Sequence, residues 1–284
     1  MPDLELSWRA AAILAGGLAG AALVLRRMRR PRLAAAGVFT QETALVLALF
    51  ALWQYAGSFA VLGPGGALAR ARWIWHAERV MHLPSEASVQ HVFLPHPLII
   101  QVFNLYYAGL HFPVMFTCLG WVFIWHRRHY RQVRTTVVLF TAAALLIQLI
   151  PVAPPRLLPG SGMVDTAILY GQSVYAIGFD EFSAMPSVHV GWSIIVAIAV
   201  ITASRSRWRW LAVLYPALTT LVVVVTANHY WLDGVVAGLL VAGALGLQKA
   251  GRSARLAVAT RAAARKAAAT PDSREPVNTL DRSR

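Results

Sequence analysis

The sequence predicts an all-α fold: a polytopic membrane helix bundle of about seven transmembrane helices. Three observations predict it. Of the 284 residues, 57% are hydrophobic and 13% charged, against roughly 25% charged in soluble domains. Mostly apolar runs long enough to span a bilayer, about 17–25 residues, recur along the chain. Arginine clusters follow every second run, the pattern expected when short loops are sorted by positive charge. The formal charge of +14 lies in these juxtamembrane clusters and not in a stripe on a soluble domain. That excludes nucleic acid as a partner and points to anionic lipid head groups instead.

The first run, residues 10–25, has acidic residues before it and Arg26, Arg27, Arg29, Arg30 and Arg32 after it. A secretory signal has the reverse charge order, so this reads as an uncleaved anchor with an outside N-terminus. The second run, 38–62, ends at Gly63-Pro64-Gly65-Gly66. The third, 98–125, ends on Arg127, Arg128, Arg131 and Arg134. The fourth, 135–150, stops at Pro151 and Pro154-Pro155, which cannot continue a helix. The fifth, 188–203, meets Arg205, Arg207 and Arg209. The sixth, 210–227, and the seventh, 231–247, are separated by Asn228-His229-Tyr230, and Lys249 and Arg252 begin a basic tail. Clusters after runs one, three, five and seven are therefore cytoplasmic. The segments after run four, before run five and between runs six and seven face outward.

Three domains follow: an anchor helix with its arginine cluster (1–37), a membrane domain (38–248) and a basic, partly disordered cytoplasmic tail (249–284). Residues 67–97, with Trp73, Trp75 and several arginines, read as an exoplasmic helix in the membrane interface, with a cap over the bundle as the competing reading. Residues 152–186 form a Pro/Gly-rich outer loop of the length that serves lids and binding segments. Residues 252–266 read as a basic helix on the anionic inner leaflet, and 270–284 as disordered. Cys118 is the only cysteine and reads as a small apolar side chain.

Two short stretches carry chemistry. His229 and Asp233 are four apart at the start of run seven and share one helix face. Asp233 can accept from one imidazole nitrogen, which sets the tautomer and leaves the other nitrogen to attack. A carboxylate within a span is functional by default. Pro186-Ser187 suits a helix start, where backbone amides hold anions. Ser187 could cap that helix, bind phosphate or do both, and His189 then lies at the membrane depth of His229. Arg156, in Pro154-Pro155-Arg156, could clamp phosphate bidentately. Asn104, Tyr107 and His111 form one stripe if run three is α-helical, and serve either the site or a neighbouring helix. Glu42 and Glu78 read mainly as structural pairs. Metal is not expected: no His-x-x-x-His pair lies on a span, and no carboxylates accompany His76, His82, His91 and His96.

These residues resemble the type-2 phosphatidic-acid phosphatase superfamily, and within it the inositol-phosphotransferase-like branch that includes inositol phosphorylceramide synthase. The resemblance covers roughly 67–247. It rests on Pro186-Ser187-Val188-His189 and His229-Tyr230-Trp231-Leu232-Asp233, with Pro154-Pro155-Arg156 and the 104–111 stretch in support. It implies His229 as the nucleophile of a phospho-histidine intermediate, Asp233 as its orienting group, His189 as the general acid and Arg156 as a phosphate ligand. Two departures stand out. The phosphatase pattern has a lysine where this chain has Leu149, and a serine-arginine pair where it has Val222 and Val223. Arg156 with His111, Tyr107 or an arginine of 67–97 could compensate.

The implied activity is cleavage or transfer of a phosphate or phosphoinositol group on a membrane lipid, a phospholipid or polyprenyl phosphate, at the outer face of the plasma membrane. No cofactor is needed. A lipid or sugar hydroxyl acceptor makes a phosphotransferase, and water makes a lipid-phosphate phosphatase. The rival from another class is a lipid or anion transporter, which would place its ionisable residues near the midplane. Oligomeric state is not legible.

Overall fold

The computed structural model describes residues 7–28, 30–57, 64–172 and 181–268. It is all-helical, 81% helix, and its one β-feature among the described residues is an isolated bridge between Val152 and Ser183. The chain divides into two compact units, residues 1–244 and 245–284.

Helix α1 (Trp8–Arg27) starts at Ser7, whose hydroxyl accepts from Ala10 N, and ends on Arg26 and Arg27, where cations suit the helix dipole. It packs along α2 (Pro31–Gly57). Glu42 of α2 pairs with Arg134 at 2.5 Å, tying this hairpin to α7 (Arg127–Gln148). Helices α3 (Pro64–Val80) and α4 (Glu86–Phe93) come next. A long span follows, made of α5 (Pro97–Leu105), a π-helical turn (Tyr106–Leu110) and α6 (His111–Trp125). After α7 come a short 3₁₀ turn (Pro155–Leu157) and α8 (Thr166–Leu169). Helix α9 (Val188–Ala203), a 3₁₀ segment (Arg207–Val213), α10 (Leu214–Val225) and α11 (Trp231–Ala268) complete the order.

Among the described residues, four helical stretches are long and apolar enough to cross a membrane: Trp8–Arg27, Pro97–Trp125, Arg207–Val225 and Trp231–Ala262. This is an integral membrane protein. The sequence reading counted seven, and three of its runs fall short for identifiable reasons. Residues 58–62 of the second lie outside the described residues, leaving the shorter apolar helix Ala36–Leu52. The fourth shares α7 with Arg127, Arg128, Arg131 and Arg134. The fifth is the 16-residue α9, about 24 Å long at 1.5 Å per residue, against a hydrocarbon core of about 30 Å. The tail expected to be disordered, 270–284, also lies outside the described residues.

In the segment 67–97, helix α3 turns one face to the interior. Ala67, Ala71, Ile74 and Glu78 are buried, while Val80 and Met81 are exposed. Ala67, Ala71 and Ile74 form one cluster with Val152, Ala153, Leu158, Ala184 and Tyr230, so α3 packs onto the loops that follow α7 and precede α9 and α11. Arg70 Nε donates to Pro151 O at 2.6 Å. Gln90 of α4 accepts from Val164 N at 2.8 Å and donates to Val164 O and Val225 O, each at 2.9 Å. These bonds anchor the outer loop and the end of α10 to one side chain.

Candidate active site

The two motifs meet through local geometry that their sequences dictate. Ser187 is fully buried, and its hydroxyl caps α9 by accepting from Val190 N at 3.3 Å. That places His189 in the first helical turn. At the other motif α10 ends in a tight reversal: Ala227 N bonds to Val224 O, and Asn228 N and His229 N both bond to Val223 O. Ala227 adopts φ +57, a left-handed conformation uncommon outside glycine and asparagine. The reversal turns His229 inward just before α11 begins. Ser187 N donates to Asp233 O at 3.3 Å, joining the two helix starts directly.

The His229 ring has a defined proton arrangement. Its Nδ1 lies 2.7 Å from Ala184 O and 3.3 Å from Asp233 Oδ2. A carbonyl oxygen only accepts, so Nδ1 carries a hydrogen, and in the neutral ring Nε2 carries the lone pair. Nε2 is buried with no partner among the described residues. Asp233 is fully buried, and its Oδ2 also accepts from Tyr230 N at 2.9 Å. Burial and the nearby Asp233, Glu78 and Glu86 push the Tyr230 phenol up, so it stays neutral and donates to Ala153 O at 3.2 Å.

Facing His229 is an aromatic wall. His189 has its ring centroid 5.9 Å from that of His229. Tyr107 stacks on His189 at 4.3 Å and 27°, and His111 meets it edge-on at 4.4 Å. Tyr107 also lies within electrostatic reach of Arg156 and Asp233. Arg156 Nη1 donates to Asn228 Oδ1 at 2.6 Å, its backbone N donates to Ala227 O at 3.1 Å, and its Nε is 3.2 Å from Asp165 Oδ2. The guanidinium is thus held beside His229 with its charge partly balanced.

The structure brings together His229, Asp233, His189, Arg156, Ser187, Tyr107 and His111. Asn104 goes elsewhere: its amide donates to Thr166 O and Gln172 Oε1, each at 3.0 Å, and its carbonyl accepts from Thr166 Oγ1 at 2.8 Å. The π-turn separates these roles. Strict α spacing puts 104, 107 and 111 on one face, whereas the wide turn between them rotates Tyr107 and His111 toward His189. Pro113, two residues into α6, lacks the N–H that would bond Gly109 O, and the widened turn sits at that missing bond. Of the arginines in 67–97, Arg70 and Arg79 are engaged with Pro151 and Glu86, and Arg72 is exposed. Val222 and Val223 are buried.

Sequence reasoning missed Asp165 and Gln90, and read Asn228 as a possible helix cap where the structure makes it an acceptor for Arg156. Asp165 had one available signal: with 12 acidic residues in the chain, any outward acid is a candidate partner for an outward arginine. Among the described residues no group of three His, Cys, Asp or Glu is arranged to hold a metal ion.

Residues 72–247, well over half of the chain, match the family model described as the PAP2 superfamily. No curated protein and no solved structure matches the chain.

Proposed function

The chain belongs to the PAP2 superfamily, which makes it a phosphatase- or phosphotransferase-type enzyme acting on lipid-like substrates, and we propose that it works through a phospho-histidine on His229. The observation that carries this reading is the anchored Nδ1–H and the unpartnered Nε2 of His229. Nε2 attacks phosphorus as the bond to the leaving oxygen breaks, and His189, taking up a proton as the anionic substrate binds, gives it to that oxygen. In the second half His189 removes the proton of the acceptor hydroxyl, whose oxygen attacks phosphorus as the P–N bond breaks. Asp233 orients His229 and stabilises the positive charge that develops on it. Arg156, Tyr107 and His111 line the phosphate-binding side, with the positive end of the α9 dipole at Ser187.

Charge favours a phosphodiester substrate. The cation beside His229, Arg156, is balanced by Asp165, and valines stand where the phosphatase pattern has a serine-arginine pair. A phosphomonoester brings up to two negative charges to such a site and a diester only one. The favoured reaction is therefore transfer of a phospholipid head-group phosphate, such as phosphoinositol, to a lipid or sugar alcohol. A lipid-phosphate phosphatase is the second reading, favoured by the match to the PAP2 superfamily itself, and there water takes the acceptor position. Topology follows the arginine pattern: seven spans, the site exoplasmic in the plasma membrane, and the C-terminus cytoplasmic against anionic lipid.

The test incubates purified protein with lipid phosphates and phosphoinositides, with and without lipid alcohols, and identifies products by mass. A phosphorylated acceptor supports transfer, and free phosphate supports hydrolysis. Radiolabelled phosphate should be trapped on His229, and His229→Ala should trap none. Full activity of His229→Ala would sink the assignment.

A further inference from the structure

Two glutamates outside the proposed machinery lie against the turn that carries it. Glu78, in the last turn of α3, is fully buried, and Glu86, opening α4, is 2% exposed. Glu78 Oε1 accepts from Leu232 N at 2.8 Å. Leu232 stands between His229 and Asp233 in the chain, so this bond fastens the first turn of α11 from a different element. The remaining oxygens, Glu78 Oε2 and Glu86 Oε1, are buried and reached by no donor among the described residues. Yet the two carboxyl groups are hydrogen-bonding neighbours.

The charges around them limit their ionisation. Arg79 Nη2 sits 2.7 Å from Glu86 Oε2. From the α11 side the pair faces Asp233 and Tyr230. Two buried carboxylates in contact, with a third nearby and one arginine beside them, cannot all be charged. A single proton resolves both orphan oxygens at once: the Glu78 hydroxyl donates to Glu86 Oε1. Arg79 then balances Glu86, and the Asp233 charge is left for His229.

We propose that Glu78 is a positioning residue that works as an uncharged acid, sharing a proton with Glu86 and holding, through Leu232 N–H, the turn that bears His229 and Asp233. Its kinetic consequence rests on the phosphoryl-transfer reading; its structural consequence does not. Burial, and then the hydrogen bond with Glu86, push the Glu78 carboxyl from 4.5 up to about 9. The sign of the stability effect follows. Below pH 4.5 Glu78 is protonated both folded and unfolded, and its contribution is complete. As pH rises toward 9 the unfolded chain loses the proton that the folded one retains, and the contribution is progressively lost.

The experiment uses the full chain in lipid nanodiscs, with Glu78→Gln and Glu78→Ala. Glutamine reproduces both bonds without a titrating proton, accepting from Leu232 N and donating to Glu86. Glu78→Gln should keep wild-type kcat, and its unfolding midpoint should lose the part of the decline between pH 4.5 and about 9 that Glu78 causes. Glu78→Ala should lower kcat by up to about 10²-fold, the scale of a misplaced catalytic group, with KM unchanged. Hydrogen exchange at Leu232 N should be faster in Glu78→Ala and unchanged in Glu78→Gln. The proposal is overturned if Glu78→Ala keeps wild-type kcat and exchange, if Glu78→Gln is as impaired as Glu78→Ala, or if Glu78→Gln shows the wild-type pH decline. If the wild type turns over no lipid in the panel, the phosphoryl-transfer reading falls, and exchange and pH dependence still judge Glu78.

Discussion

His229 and Asp233 show how far residue spacing can be pushed. A separation of four put them on one helix face, and the structure has them in contact at 3.3 Å. The contact is not through a regular helical turn, however. His229 precedes α11, and the backbone reversal at Ala227 brings it round. The tautomer depends on Ala184 O, 45 residues away in sequence. Asp233→Asn keeps shape and removes charge, so kcat should fall by roughly 10³–10⁴-fold, the scale of a triad that has lost its orienting carboxylate. Steady-state kinetics measures this; a variant as fast as wild type would show that Asp233 does not stabilise charge on His229.

Among the elements, α9 depends on one glycine. A Cβ built on Gly191 would lie 1.9 Å from Phe140 Cζ and 2.5–2.6 Å from the ring carbons beside it. Phe140 is fully buried in α7, so its ring can move only by displacing its neighbours. Close helix approach through a small residue is a common packing device in membranes. Gly191→Ala should destabilise the bundle by about 1–3 kcal/mol or more, read as a lower thermal midpoint in detergent, and Phe140→Leu in the same chain should restore part of it. An unchanged midpoint would mean that α7 and α9 do not meet there. The same contact holds α9, and with it His189, against α7. The π-turn is the other element-scale device: it sends Asn104 to the outer loop and Tyr107 with His111 to the site, a division that α-helical spacing could not anticipate.

For the whole molecule, the topology is open to direct test. Cys118 is the only cysteine and is buried, so Cys118→Ala provides a cysteine-free background. Single cysteines at Pro159 and at Arg252 should differ in reaction with a membrane-impermeant maleimide on intact cells. The first should label and the second only after permeabilisation; the reverse pattern would overturn the exoplasmic site. Hydropathy made the membrane class legible, and spacing made the His229–Asp233 contact legible, because one depends on composition and the other on neighbours a helical turn apart. Span number was less secure, since α9 is short and α7 begins with arginines. The Arg156–Asp165–Asn228 link, the Gln90 anchor and the Glu78–Glu86 pair were invisible for another reason. Each joins side chains whose meeting depends on how α3, α4 and the outer loop pack onto the helix ends, and a linear pattern carries no information about that packing. The candidate site residues could be named from their spacing, but the hydrogen bonds that orient them, and the glutamate pair beneath them, depend on contacts made across the fold.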